Sequence, residues 1–229
     1  MISIICCTMR PSSMDNVFDN YVRQAIEKKE MIIVLNRDDM DIIKWRRRAK
    51  QYKNVSVYQM PEKYQLGKCL NYGIKKAKYN ILAKFDDDDY YAPHYLKESL
   101  HALKRKKANI VGKHTSFLYF EGPKALMVFR RGGEKQYCRT VKGGTLVFRR
   151  SLWDKVKFNE KLTSGSDVKF LRDCRNRGYR VYSVSKYNYV CIRRDNIRSH
   201  TQKTDIKKYM ARCKLIRHTN NYVPYIQRR

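Results

Sequence analysis

Four consecutive aspartates, Asp86, Asp87, Asp88 and Asp89, directly follow the apolar run NILAKF at 80–85. The chain holds 51 Lys and Arg against 21 Asp and Glu, a net charge of +30, so adjacent carboxylates stand out. Neighbouring carboxylates repel unless a cation or several donors neutralise them. The run is therefore a candidate cation site. The alternative is a solvated loop that caps the helix expected after Pro93. A second acidic group, Asp38, Asp39 and Asp41, follows the run MIIVL at 31–35. Asp38 or Asp39 can accept a hydrogen bond from a nucleobase imide, or cap the charged segment behind it. Asp167, in SGSD at 164–167, reads from spacing alone as a helix cap.

The elements that must hold these residues alternate. ISIICC (2–7), MIIVL (31–35), VSVYQ (55–59) and NILAKF (80–85) read as strands, short and apolar. Between them helices are expected over 14–29, about 39–51 and from 67 to about 76, and a fourth is expected to open at Pro93. Apolar strands alternating with helices imply an α/β fold with a mostly parallel sheet covered on both faces. Ligands of such sheets bind outside the carboxyl ends of the strands. The loop at Thr8–Arg10, the segment 36–39 and the aspartate run all fall there. The second half is mixed: strands are expected over 109–112, 115–120, 124–130, 141–149, 179–185 and 187–194, with a helix over 166–177 and an amphipathic helix over 205–217.

Composition narrows the class. Hydrophobic residues make up 42% and charged residues 31%, which supports a core and excludes collagen-like and fully disordered readings. No apolar run approaches the ~20 residues of a membrane span. The opening MISIICC lacks the positive region of a secretory signal. Seven cysteines without CxxC spacing read as reduced thiols rather than a zinc site. A cytoplasmic protein is expected. The charge favours a polyanionic partner, an anionic surface or a phosphorylated substrate, although runs such as KWRRRAK (44–50) also serve as solvated helix faces. The last 44 residues carry twelve Lys or Arg against Asp195 and Asp205.

The ordered motifs resemble a GT-A glycosyltransferase of family 2. IICCTMRP (4–11) resembles that family's opening strand and loop. LGKCLNYGIKKAK (66–78) resembles its helix with an Asn–Gly pair, and NILAKFDDDDYYAP (80–93) its aspartate cluster. GGTLVFRRSLWDKV (143–156) and GSDVKFLRDCRNRGY (165–179) resemble its later segments. The resemblance covers roughly residues 1–194. It implies a GT-A domain in three stretches: a Rossmann-like nucleotide-binding half at 1–112, a mixed acceptor half at 113–194 and a basic segment at 195–229. The chain departs from the family in having Ser166 before Asp167 and Asn36-Arg37 at the end of the second strand. Within the family a subgroup that decorates spore coats or cell-surface polymers is the nearest in character.

The resemblance also assigns roles. Mn²⁺ or Mg²⁺ on the donor diphosphate would neutralise its growing charge. The aspartate run permits two registers of the Asp-x-Asp motif, 86/88 or 87/89, and alignment on the preceding strand favours Asp86 and Asp88. Asp88 would bind the metal, and Asp86 the metal or the ribose. Thr8, Arg10 and Lys68 would lie near the nucleotide, or hold a loop and a surface. Asp167 matches the base that deprotonates the acceptor hydroxyl. Arg193, Arg194 and His200 would complete the diphosphate or metal site if the C-terminal segment folds over it.

The expected activity is therefore inverting, metal-dependent transfer from a nucleotide-diphosphate sugar to a polysaccharide or other surface glycan. A uridine donor is preferred by family frequency. Association with an anionic acceptor or surface fits the charge. The competing readings are a nucleotidyltransferase and a non-catalytic binder of nucleic acid or another polyanion. TMRPSS lacks the glycines of the former, and no nucleic-acid module is recognisable.

Overall fold

A computed structural model describes residues 1–194 and 205–228. In chain order its first half runs β1 (Ile2–Thr8), α1 (Met14–Arg23), β2 (Lys29–Leu35), α2 (Ile42–Ala49), β3 (Val55–Gln59), α3 (Leu66–Lys76), β4 (Ile81–Asp86), β5 (Tyr90–Tyr91) and α4 (Tyr95–Arg105). The second half continues with β6 (Ile110–Gly112), β7 (Ser116–Phe120), β8 (Ala125–Phe129), β9 (Gln136–Tyr137), β10 (Val147–Arg149), α5 (Arg150–Lys155), α6 (Ser166–Asn176), β11 (Val181–Ser183) and β12 (Tyr189–Arg193). Beyond residue 204 lie α7 (Ile206–Met210), β13 (Cys213–His218) and α8 (Val223–Ile226).

Eight strands form the main sheet in the order β3-β2-β1-β4-β10-β6-β11-β9. The β3-β2-β1-β4 block is parallel throughout, as its apolar runs imply. β10 enters antiparallel between β4 and β6. A second sheet has the order β13-β8-β7-β12-β5. One face of the main sheet packs on α1, α2 and α4 through Phe18, Trp45 and Leu96. The other packs on α3, α5 and α6 through Leu70, Trp153 and Phe170. Both faces are dry, and this explains the unbroken hydrophobicity of the strands. All seven cysteines are free.

Several expected boundaries differ, for local reasons. α1 stops at Arg23 instead of 29, because Gln24 leaves the helix and spends its side-chain amide on the carbonyls of Tyr91 and Ala92. α2 begins at Ile42, where Asp41 accepts from the Lys44 N–H at 2.9 Å. Pro93 does not open α4: its carbonyl accepts from the Ala25 N–H, and Pro93 and His94 form a turn ahead of the helix that begins at Tyr95. The expected strand 141–149 is broken by a 3-10 turn at Gly143–Thr145. The helix expected over 205–217 is only α7. Asp205 caps it, and Cys213–His218 instead pairs antiparallel with β8, whose edge offers unpaired backbone groups. The short β5, β9, α5 and α8 had no periodic signal.

Candidate functional site

Parallel pairing of β1 with β4 sets Cys7 opposite Asp86. The Thr8–Arg10 loop therefore lies beside the aspartate run. Asn16 and Asn20, one turn apart on α1, donate to the backbone carbonyls of Asp87 and Asp89 and fix the turn.

The four carboxylates divide by parity. Both oxygens of Asp87 are engaged within the protein: Thr8 donates its hydroxyl, Arg10 Nε lies at 3.0 Å, and Arg10 Nη2 pairs with Oδ1. Asp89 is equally buried and accepts from the Tyr189 hydroxyl and, at 3.1 Å, the Ile192 N–H. Asp86 and Asp88 line a cavity of about 380 Å³, a size suited to a small ligand. Asp87 lines it too, but with no uncommitted oxygen. Asp88 Oδ2 meets Arg194 Nη2 at 2.9 Å and Arg10 Nη2 at 3.2 Å. Burial pushes the Asp88 carboxyl up to about 6 against the pull of Arg10, and Asp87 and Asp86 add to the rise.

The period of two along β4 puts Lys84 on the same side as Asp86. Lys84 is only 4% exposed; its Nζ lies 2.5 Å from Asp86 Oδ1 and 3.3 Å from Asp167 Oδ2. Asp167 is the second residue of α6. It does not cap the helix: the cap is Gly165, at φ 73°, and no side chain accepts there. Asp167 Oδ1 is buried with no hydrogen-bond partner. Burial raises the Asp167 carboxyl, Lys84 lowers it and Asp86 raises it again.

The Gly143-Gly144 turn closes over these groups. A Cβ on Gly143 would lie 2.1 Å from Asp167 Oδ2, and one on Gly144 2.6 Å from Asp86 Oδ2. Tyr91 ties the turn to the acid run, accepting from the Asp86 N–H at 2.8 Å and donating to the Gly144 carbonyl at 2.6 Å. The ring of Tyr91 stacks on Phe85. Asn71 joins α3 to the far wall: it bonds Trp153, the Phe158 backbone and Glu160, ahead of the 162–166 loop that lines the cavity.

Of the residues singled out from the sequence, Thr8, Arg10, Asp86, Asp88 and Asp167 line this one cavity. Arg194 reaches it through Asp88. Asp38 and Asp39 do not line it, and both are exposed. Asp39 pairs with Arg37, Asp38 accepts from the Glu62 N–H, and the cap of α2 is Asp41 instead. The cavity takes Asn36 from that strand end, together with Glu62, Tyr64 and Gln65. Lys68 stays behind the wall, its Nζ 3.7 Å from the Tyr64 ring centre. Arg193 is buried with its guanidinium 5.1 Å from the Tyr209 ring. His200 lies outside the described residues. The sequence reading missed Lys84, although its place two residues before Asp86 on a strand was a usable signal.

Among the described residues no three His, Cys, Asp or Glu side chains gather as a metal cluster. Asp86 and Asp88 nevertheless fit Mg²⁺ or Mn²⁺: both are hard oxygen donors on the cavity wall, and Mg²⁺ is commonly held by one or two carboxylates plus substrate phosphates. No described helix is long and apolar enough to cross a membrane.

The model of glycosyl transferase family 2 matches residues 3–188. The O-antigen biosynthesis glycosyltransferase WbnJ of Escherichia coli is 31% identical over 115 residues, 49% of this chain and 45% of that protein. Staphylococcus aureus TarS 1–349 in complex with UDP-GlcNAc superposes with a TM-score of 0.69 at 16% identity, over 90% of this chain and 61% of that one. The mannosyltransferase PcManGT from Pyrobaculum calidifontis, in complex with GDP-Man and Mn²⁺, gives 0.63 at 15% identity, over 92% and 59%. The chain thus spans about half the length of the curated relative and three fifths of these structures.

Proposed function

The chain belongs to glycosyl transferase family 2 and has the GT-A fold, and on that premise we propose that it transfers a sugar from a nucleotide-diphosphate donor to a glycan acceptor with inversion. The observation that carries this reading is Asp167: a carboxylate that caps nothing, with one unpartnered buried oxygen, in the same cavity as Asp86 and Asp88.

In the proposed step the acceptor hydroxyl oxygen attacks the anomeric carbon as the bond from that carbon to the diphosphate breaks. The bonding electrons leave on the diphosphate, and the hydroxyl proton passes to Asp167. Asp88 and Asp86 would hold Mg²⁺ or Mn²⁺, which would supply positive charge to the leaving diphosphate. Arg10 and Arg194 hold Asp88 and bring further positive charge to the cavity. Asp87 and Asp89 keep the turn in shape, so the working register is 86/88. Asn36, Glu62, Tyr64 and Gln65 supply polar and aromatic contacts for the nucleobase.

A uridine donor is supported by the UDP-GlcNAc complex of the TarS neighbour, while the PcManGT complex holds a guanosine donor. A surface-polysaccharide acceptor is supported by the O-antigen relative, and an anionic one by the charge of +30. The seven free thiols support a cytoplasmic setting, and the basic segment after residue 194 peripheral contact with an anionic surface.

The test is a donor panel of UDP- and GDP-sugars with Mn²⁺, reading nucleoside diphosphate release and the anomeric configuration of the product by NMR. A product of opposite configuration to the donor is expected. Retained configuration, or no release from any donor, overturns the proposal. Gly143→Ala offers a second check. Its methyl must displace Asp167, and a shift of about 1 Å in a reacting group costs on the order of 10²-fold in rate. Turnover should fall by that order with donor binding kept, as read by kinetics and calorimetry.

A further inference from the structure

Lys84 sits at the centre of this site with no role in the step above. A buried ammonium is costly unless paired. Among the described residues Lys113 is buried as well, but it serves the fold, bonding Glu98 and the Ser185 carbonyl away from the cavity. Lys84 instead lies between one carboxylate from each side of the proposed reaction, Asp86 and Asp167.

We infer that Lys84 is a positioning residue for the transfer: by taking Oδ2 of Asp167 and Oδ1 of Asp86, it fixes the base relative to the donor side and leaves Asp167 Oδ1 to meet the acceptor hydroxyl. The inference rests on the reading of Asp167 as the base. Two independent constraints act on the same oxygen. Lys84 Nζ lies 3.3 Å from Oδ2, and the Gly143 backbone packs so closely on Oδ2 that no Cβ would fit. The other oxygen, Oδ1, has no partner in the protein. A carboxylate held through one oxygen is fixed in direction, and the other oxygen is left to take the proton. An ammonium suits this task, being a compact charge with several donors on a flexible stem. Without it, Asp86 and Asp167 would face each other as like charges and move apart.

A double-mutant cycle of Lys84→Met and Asp167→Asn tests the inference. Lys84→Met is expected to lower kcat by about 10²-fold. Donor KM and nucleoside diphosphate affinity without metal should stay within about threefold of wild type, the pattern of a group that matters only in the transition state. The double variant should be no slower than Asp167→Asn alone, because Lys84 acts through Asp167. A slow Asp167→Asn beside a Lys84→Met with wild-type kcat overturns the positioning role and leaves the base reading standing. So do losses that multiply in the double variant. Asp167→Asn at the wild-type rate overturns the base reading itself, and the positioning role with it. If Lys84→Met does not fold, by thermal melt, Lys84→Gln keeps a hydrogen-bonding side chain and carries the same comparison.

Discussion

Asp167→Asn is expected to fold, to bind the donor as wild type does and to transfer sugar about 10²–10⁴-fold more slowly, the range for loss of a general base. The competing role, a helix cap, makes the opposite prediction, since Asn also caps well. The structure already weighs against a cap: Gly165 occupies that position, and Asp167 bonds no backbone N–H of α6. Stability gives a second readout. Burial raises the folded-state pKa of Asp167 above its ordinary value. For an acid shifted in that direction, ionisation weakens folding as the pH rises past the ordinary carboxylate value. The Asn variant is therefore expected to melt no lower than wild type at pH 7.5, with any gap closing toward pH 4. A variant that melts as expected and transfers at the wild-type rate leaves the chain without this base.

The first half of the fold was legible because its strands are buried on both faces. ISIICC, MIIVL, VSVYQ and NILAKF carry their own signal, while the register of β1 with β4 is seen only in the folded sheet. Boundaries failed where a tertiary contact outweighed local preference. Gln24 leaves α1 for the carbonyls of Tyr91 and Ala92, and the Pro93 carbonyl is taken by the Ala25 N–H. The C-terminal segment misled for a related reason. Its apolar spacing suits a helix, but the open edge of β8 draws Cys213–His218 into a strand. No local pattern reports a distant edge.

The site was legible where chemistry demands a rare residue type in a rare place. Four aspartates after a strand meet that condition, and Asp167 was found through its motif. Asp38 and Asp39 were singled out as the acids after the second strand, and the structure places both outside the cavity lining. The chain turns at Asp38 and Asp39, and their carboxylates are spent on the Glu62 backbone and Arg37. Lys84 was passed over as one of 51 Lys and Arg, although a charge inside an apolar strand two residues before Asp86 was a usable signal. The parity of the aspartate run could not be read either. It depends on Thr8, Arg10 and Tyr189, which are distant in sequence and adjacent only after folding.

That parity yields the second large effect. Asp88→Asn keeps the shape of the side chain and removes the charge that would hold the metal. Metal-borne charge stabilisation is worth several kcal/mol, so metal-dependent transfer is expected to fall by about 10²–10³-fold at ~1.4 kcal/mol per decade. Folding should move the other way. The folded-state pKa of Asp88 stands at about 6 against an ordinary 3.8, chiefly through burial. The ionised form is thus penalised in the fold, and stability contributed by the neutral form is lost as the pH climbs through that interval. In metal-free protein Asp88→Asn should therefore melt above wild type at pH 7.5, and the two should converge by pH 4. Asp87→Asn is the contrast. Its carboxylate joins Thr8 and Arg10 to the acid run, so losing the charge weakens a buried pair and lowers the melting temperature at pH 7.5. If Asp88→Asn instead keeps Mn²⁺-dependent turnover, while Asp87→Asn abolishes it without a change in melting, the metal belongs to the 87/89 register. The parity argument then fails at its base.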